Sequence, residues 1–260
     1  MHSALNVKMI KLIVANWKMN KTVEESCLLA NELKNLLKNE KNVDIAVCPA
    51  FTSLHPVSKE LKGSNIKLGA QNMHFENSGA YTGEVSPSMI KDLGCEFVII
   101  GHSERRESFN EDDSLINKKL AAALRNGLKP ILCIGENWEQ RLNEETEDIL
   151  EYQLLKCLSG IESIKDLVIA YEPIWAISKG NPNQKAATKA DAEESHLFIR
   201  KVISGIYEEE TAKNVRIIYG GSLKPENAKE LLSMPNINGG LVGNASLNAK
   251  SFAEIVKAAK

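Results

Sequence analysis

Five places along this chain set a chemically able group directly behind a short apolar run. Asn16-Trp17-Lys18 follows Leu12 to Ala15, His102-Ser103-Glu104 follows Phe97 to Gly101, and Glu172 follows Val168 to Tyr171. Gly220-Gly221-Ser222 and Gly243-Asn244 close two later runs. Lys18 can serve as a fixed positive charge for an anionic substrate or, with a depressed pKa, as a Schiff-base amine; the alternative is a solvated loop lysine. His102 precedes a charged turn able to open a helix. There the positive end of the dipole disfavours imidazolium and favours a neutral ring that donates to a carbonyl oxygen, although a lone histidine also serves as a structural hydrogen-bonder. Glu172, followed by Pro173, reads either as a salt-bridge partner or as a base, since partial desolvation raises a carboxyl pKa and improves proton acceptance near neutral pH. The glycine pairs are tight turns or, taken together, a cradle in which backbone N–H groups approach an anion. A cation, a neutral donor, a carboxylate and an anion cradle suit proton abstraction beside a carbonyl on a small phosphorylated substrate. No CxxC or Cys/His ligand spacing and no nucleotide loop accompany them, so no metal and no other cofactor is expected.

The elements that must position these groups repeat one theme. Strands are predicted at Ile10–Asn16, Val43–Cys48, Ile66–Gln71, Phe97–Gly101, Pro130–Ile134, Leu167–Tyr171, Val215–Tyr219 and Gly240–Gly243. Helical periodicity lies between them, as in Glu24–Asn39, where Leu29, Leu33, Leu36 and Leu37 share a face. Further helices are predicted over Asp112–Asn126, Trp138–Leu158, Asp191–Glu209, Pro225–Leu232 and Ala249–Ala259, with shorter ones near Leu54–Leu61 and Pro87–Leu93. Strands that are apolar at nearly every position belong to a parallel sheet covered on both faces. A doubly wound dinucleotide fold would carry GxGxxG after its first strand, and none is present. Eight βα units in 260 residues instead predict an α/β chain folded as a single (β/α)8 barrel over 1–260. In such barrels the chemistry sits at strand C-termini, which is where all five groups fall, and the loops after strands seven and eight commonly hold phosphate.

Composition narrows the partners. With 32 Lys+Arg against 34 Asp+Glu the net charge is −2, and no basic block exceeds a pair, so nothing points to nucleic acid or an anionic membrane. The apolar runs fall far short of the roughly 20 residues of a membrane span. Five scattered cysteines, an odd number, argue against a disulfide framework, and a cytoplasmic location is expected.

The strings ANWKMN (Ala15–Asn20), GHSERR (Gly101–Arg106), CIGE (Cys133–Glu136), YEPIWAI (Tyr171–Ile177), YGGS (Tyr219–Ser222) and LVGNASL (Leu241–Leu247) stand in an order that resembles the triosephosphate isomerase family from Met9 to near the C-terminus. The resemblance implies a TIM barrel that interconverts dihydroxyacetone phosphate and D-glyceraldehyde 3-phosphate, with Glu172 as base and neutral His102 as electrophile. It also implies substrate binding by Asn16 and Lys18, support from Glu104 and Ser103, and phosphate binding by Ser178, Ser222, Gly243 and Asn244. Residues 173–187 resemble the family's catalytic lid, and 72–85 the loop by which Thr82 reaches across a homodimer. Three features depart from the pattern: Ser178 stands where glycine is usual, Asn181–Gln184 lengthen the lid, and Asn244 replaces a glycine. Asn tolerates the left-handed region best among non-glycine residues, so activity is expected to survive. Residues 1–8 read as an N-terminal extension. Cys133 resembles a residue that lies near the family's catalytic glutamate, and nothing marks it as a nucleophile, so it is assigned to packing.

Three rival readings remain: a Schiff-base aldolase using Lys18, a two-carboxylate hydrolase using Glu104 and Glu172, and a non-catalytic phosphate-binding protein on the same scaffold. A glycosidase has no use for a phosphate cradle. A mere binder has no reason to keep both Glu172 and His102.

Overall fold

In the computed structural model, which describes residues 9–177 and 187–260, eight strands close on one another in chain order. They are β1 (Lys11–Asn16), β2 (Val43–Cys48), β3 (Ile66–Ala70), β4 (Cys95–Ile100), β5 (Lys129–Ile134), β6 (Val168–Tyr171), β7 (Arg216–Tyr219) and β8 (Gly239–Val242). All neighbours pair parallel, and β8 returns to β1 with Leu12 beside Gly239 and Ala15 beside Val242. The eight predicted strands are thus all present, and every C-terminus meets one rim. The predicted extension at residues 1–8 lies outside the described residues.

Between the strands run α1 (Val23–Leu37), α2 (Phe51–Glu60), α3 (Pro87–Asp92), α4 (Ser103–Phe109), α5 (Asp113–Arg125), α6 (Trp138–Leu142), α7 (Thr146–Cys157), α8 (Lys189–Ile206), α9 (Glu209–Asn214), α10 (Pro225–Leu232) and α11 (Ala249–Ala258). Two predicted helices are corrected. Trp138–Leu158 is broken into α6 and α7, because Glu144 takes a left-handed φ of 60° that no α-helix continues through. Asp191–Glu209 begins earlier, at Lys189, since Thr188 and Asp191 cap the helix reciprocally, and it ends at Ile206. Tyr207 leaves it in extended form, and its hydroxyl donates to Ile161 O at 2.8 Å.

Two apolar layers hold the barrel. Inside it, Leu12, Val14, Phe97, Ile99, Ile131 and Ile218 fill the bore. Outside, the stripe Leu29, Leu33 and Leu37 of α1 packs against the strands; each such leucine contributes roughly 1.5–3 kcal/mol by leaving water. The rim itself is densely packed. Gly135, directly after β5, is required to be glycine, because a Cβ there would lie 1.8 Å from the Glu172 carbonyl oxygen.

Candidate active site

The centre of the rim is built on the first turn of α4. His102 is its N-cap, with Nδ1 accepting the Glu104 N–H at 3.2 Å. A ring nitrogen that accepts carries no proton, so the hydrogen of the neutral tautomer is on Nε2. Nε2 lies 3.0 Å from Glu172 Oε1, and Glu172 Oε2 accepts the Ser103 N–H at 2.9 Å. Both side chains are buried, and Glu172 is set at the end of β6. One helix N-terminus therefore presents a side-chain donor and a backbone donor to one carboxylate.

This contact changes the expected electrostatics. Burial raises the Glu172 pKa, as the sequence suggests, yet the charge and hydrogen bond of His102, the Ser103 N–H and Lys18 together bring it below the usual glutamate value. For His102, burial lowers the pKa, but the Glu172 charge and hydrogen bond outweigh burial and Lys18 and lift it above the usual value. Both directions are opposite to those expected from each residue alone, because the two groups satisfy each other in the resting site. The test is a proton-NMR titration of the His102 ring. Once Glu172→Gln removes the carboxylate, burial and Lys18 face only Glu104, so the ring is expected to titrate at lower pH than in the parent protein; an unchanged midpoint would refute the coupling.

Lys18 follows β1 with φ 52°, a left-handed conformation that costs a non-glycine residue about 1–2 kcal/mol. The strain is held from both sides. Lys18 N donates to Asn16 Oδ1 at 3.0 Å, and Gln71 Nε2 donates to Lys18 O and to Cys48 O, each at 2.9 Å. The ammonium donates to Glu104 Oε1 at 2.6 Å. The strand-eight loop comes against the same side chain: a Cβ on Gly243 would stand 3.3 Å from Lys18 Cε and 3.7 Å from Nζ. The Lys18 cation and the strand-eight loop thus adjoin.

Ser222 is half-buried after β7, where a Cβ on neighbouring Gly220 would come 2.8 Å from Glu172 Cγ. Gly243 has φ −85°, and Asn244 opens a 3-10 turn over Asn244–Leu247, closed by Ser246 N and Oγ on Gly243 O at 2.8 and 2.7 Å. Asn244 is not among the described residues with positive φ, so its tolerance of the left-handed region is not called upon. Replacing a glycine there carries no backbone strain. Asn16, Lys18, His102, Ser103, Glu104, Glu172, Ser222, Gly243 and Asn244 therefore all stand on the barrel's C-terminal rim. Ser178 and the inserted Asn181–Gln184 lie outside the described residues. Thr82 is exposed on the loop after β3, between Tyr81 and Gly83.

Some supporting residues went unassigned in the sequence. Gln71 is itself a polar residue directly after β3, so the strand-end rule could have found it. Glu136 stood inside the quoted CIGE string without a role. It is fully buried, and its Oε1 accepts from Trp175 Nε1 at 2.7 Å and Tyr171 OH at 3.0 Å, which fixes the start of the segment after Glu172. Its pKa is raised by burial, against the opposing hydrogen bonds.

The family profile described as triosephosphate isomerase matches residues 11–259. The chain is 53% identical over 247 residues to the triosephosphate isomerase of Carboxydothermus hydrogenoformans, covering 94% of this chain and 97% of that protein. It is 52% identical over 250 residues to that of Chlorobium phaeobacteroides, covering 96% and 98%. With that of Clostridium botulinum strain Loch Maree it shares 53% over 248 residues, covering 94% and 98%.

Proposed function

The chain belongs to the triosephosphate isomerase family, an isomerase of dihydroxyacetone phosphate and D-glyceraldehyde 3-phosphate, and from that premise we propose which residues carry the reaction. The observation that supports the assignment best is the Glu172 carboxylate lying 3.0 Å from His102 Nε2, with the Lys18 ammonium and the Gly243 backbone on the same rim.

Substrate entering this rim takes over both members of the pair. Glu172 removes the proton from C1 of dihydroxyacetone phosphate and leaves an enediolate; the same carboxyl returns the proton to C2. His102, neutral, donates from Nε2 to the carbonyl oxygen and passes protons between the two enediolate oxygens. Once a neutral substrate carbonyl replaces the carboxylate beside His102, the force that favoured imidazolium is gone. Glu172, released from the imidazole and the Ser103 N–H, is left with burial as its main perturbation, and its basicity rises. The resting contact thus stores a carboxylate that becomes a stronger base when substrate separates the pair.

Lys18 and Asn16 bind the substrate, and the Lys18 ammonium neutralises charge growing on the enediolate. Glu104, Ser103 and Gln71 support them. Ser222 and the backbone of Gly243 and Asn244, with Ser178, hold the phosphate. Residues 173–187 form the lid that excludes water from an enediolate prone to lose phosphate. The aldolase reading is disfavoured because Lys18 lies at the end of strand one among residues of the isomerase pattern, and the hydrolase reading because a glycosidase has no use for a phosphate cradle.

The working particle is a homodimer in which Thr82 of the 72–85 loop reaches the partner's rim. The large apolar side chains exposed on the segments that follow β1, β3 and β4, Met19, Tyr81, Met89 and Phe109, support this. Sedimentation equilibrium is expected to give about twice 28.7 kDa, and a fully active particle of 28.7 kDa would overturn the dimer. We place the reaction in the cytoplasm, a reading supported by five cysteines that are all free. Among the described residues no helix is long and apolar enough to cross a membrane. The direct test of the function is a coupled assay for glyceraldehyde 3-phosphate formed from dihydroxyacetone phosphate; absence of turnover in folded protein would defeat it.

A further inference from the structure

Arg106 lies on α4 four residues after His102, and its guanidinium reaches the ends of β4 and β5. Nε donates to Gly101 O at 2.8 Å, Nη2 to Cys133 O at 3.2 Å, and Nη1 to Asp113 Oδ1 at 2.6 Å. The first two acceptors are the parts of the backbone that lead to the reacting pair. Gly101 directly precedes His102, at φ 73°, and its position for a Cβ would lie 3.3 Å from Arg106 Nη2, so the guanidinium packs close against the turn into His102. Cys133 directly precedes Ile134, whose carbonyl accepts the Glu172 N–H at 2.7 Å. A single planar cation therefore fixes the end of β4, from which His102 hangs, to the end of β5, on which Glu172 is hydrogen-bonded.

The helix needs such an anchor. With seven residues α4 is far too short to persist by its own hydrogen bonds, and its first turn carries both donors to Glu172. Arg106 is itself held: the Asp113 carboxylate at the start of α5 also accepts from the buried Cys157 thiol of α7, Sγ to Oδ1 3.2 Å. We propose that Arg106 is a positioning residue for the His102–Glu172 pair, locking the N-terminus of α4 to the ends of β4 and β5 so that the imidazole and the Ser103 N–H meet Glu172 at a fixed distance. Its role rests on the proposed roles of His102 and Glu172. Lysine cannot substitute, because a point charge on a flexible stem does not reach three acceptors in a plane.

The experiment measures steady-state kinetics in both directions for Arg106→Lys, Arg106→Ala and Asp113→Asn in the full chain, beside Glu172→Gln. Arg106→Lys is expected to lower kcat by about 30-fold or more with KM within about threefold, since loss of donor alignment falls on the chemical step while Lys18 and the phosphate loops keep their own supports. Added guanidinium ion, but not the same concentration of sodium chloride, is expected to recover at least tenfold in kcat for Arg106→Ala. Should that variant fail to fold, Asp113→Asn retains the guanidinium but loosens it, and a fall in kcat of about fivefold or more is expected. A kcat within about threefold of the parent in both Arg106→Lys and Asp113→Asn overturns the proposal, as does a loss confined to KM or a folded Arg106→Ala that guanidinium leaves unrecovered. If Glu172→Gln also turns over normally, it is the assignment of the reacting pair that has failed.

Discussion

Glu172→Gln is expected to lower kcat by about three orders of magnitude while leaving the affinity for a phosphate-bearing, non-reacting analogue within a few-fold of the parent. The substitution keeps the size of the side chain and removes the carboxylate that, in the proposed role, accepts the carbon-bound proton, and a positioned general base is worth about 10² to 10⁴ in rate. The amide can still accept the Ser103 N–H, which in the parent sits 2.9 Å from Oε2, so the side chain has a partner in its buried place and the fold is preserved. In the proposed site the phosphate is held elsewhere, by the loops after β7 and β8, so binding and turnover are expected to part. Isothermal titration with the analogue and the coupled assay on the same preparation read the two halves. Turnover in Glu172→Gln comparable with the parent would sink the assignment of the base; equal losses in binding and turnover would show that Glu172 only shapes the site.

How much of this was legible without coordinates differs from residue to residue. The barrel was, because its strands are apolar at nearly every position and its helices carry a one-sided stripe; both signals are local and survive in a string of letters. So was the rim, since polar groups directly after apolar runs mark strand C-termini. What the string could not carry was contact between distant segments. His102 and Glu172, read separately, were expected to be a neutral donor and a base raised by desolvation; 69 residues of chain separate Ser103 from Glu172, and only closure of the barrel puts them in hydrogen-bond range. The same limit hid Arg106, whose acceptors lie on the turn after β4, on β5 and at the start of α5. It also hid the break at Glu144, where one left-handed residue ends a helical pattern that composition alone continues. At Asn244 the tolerance of asparagine for the left-handed region was the only local argument a sequence offers, and the loop makes it unnecessary by using a 3-10 turn.

Lys18→Met is expected to reduce kcat/KM by about 10³ or more, through both parameters, because one charge does two jobs. In the ground state the ammonium attracts the anionic substrate, so its loss raises KM. In the transition state, by the proposed mechanism, it faces the oxygen on which charge accumulates, and removing one such preorganised donor costs about 10² to 10³ in kcat. A third effect comes from the residue left behind. Glu104 Oε1, 2.6 Å from Lys18 Nζ in the parent, becomes an unpaired carboxylate beside the place the anion must enter. Part of the loss is therefore repulsion, and that part is separable: Lys18→Met combined with Glu104→Gln is expected to recover about tenfold over Lys18→Met alone, although Glu104→Gln by itself lowers activity by loosening the ammonium. Methionine matches the stem of lysine closely enough to sit against Gly243, and the left-handed backbone stays tied by Asn16 Oδ1 and Gln71 Nε2, so a folded single variant is expected. Kinetics of the three variants settle the apportionment. If Lys18→Met keeps kcat/KM within about tenfold of the parent, Lys18 does not face the substrate. If the double variant is no better than the single one, the charge of Glu104 has no part in the loss, and the ammonium acts by direct contact alone.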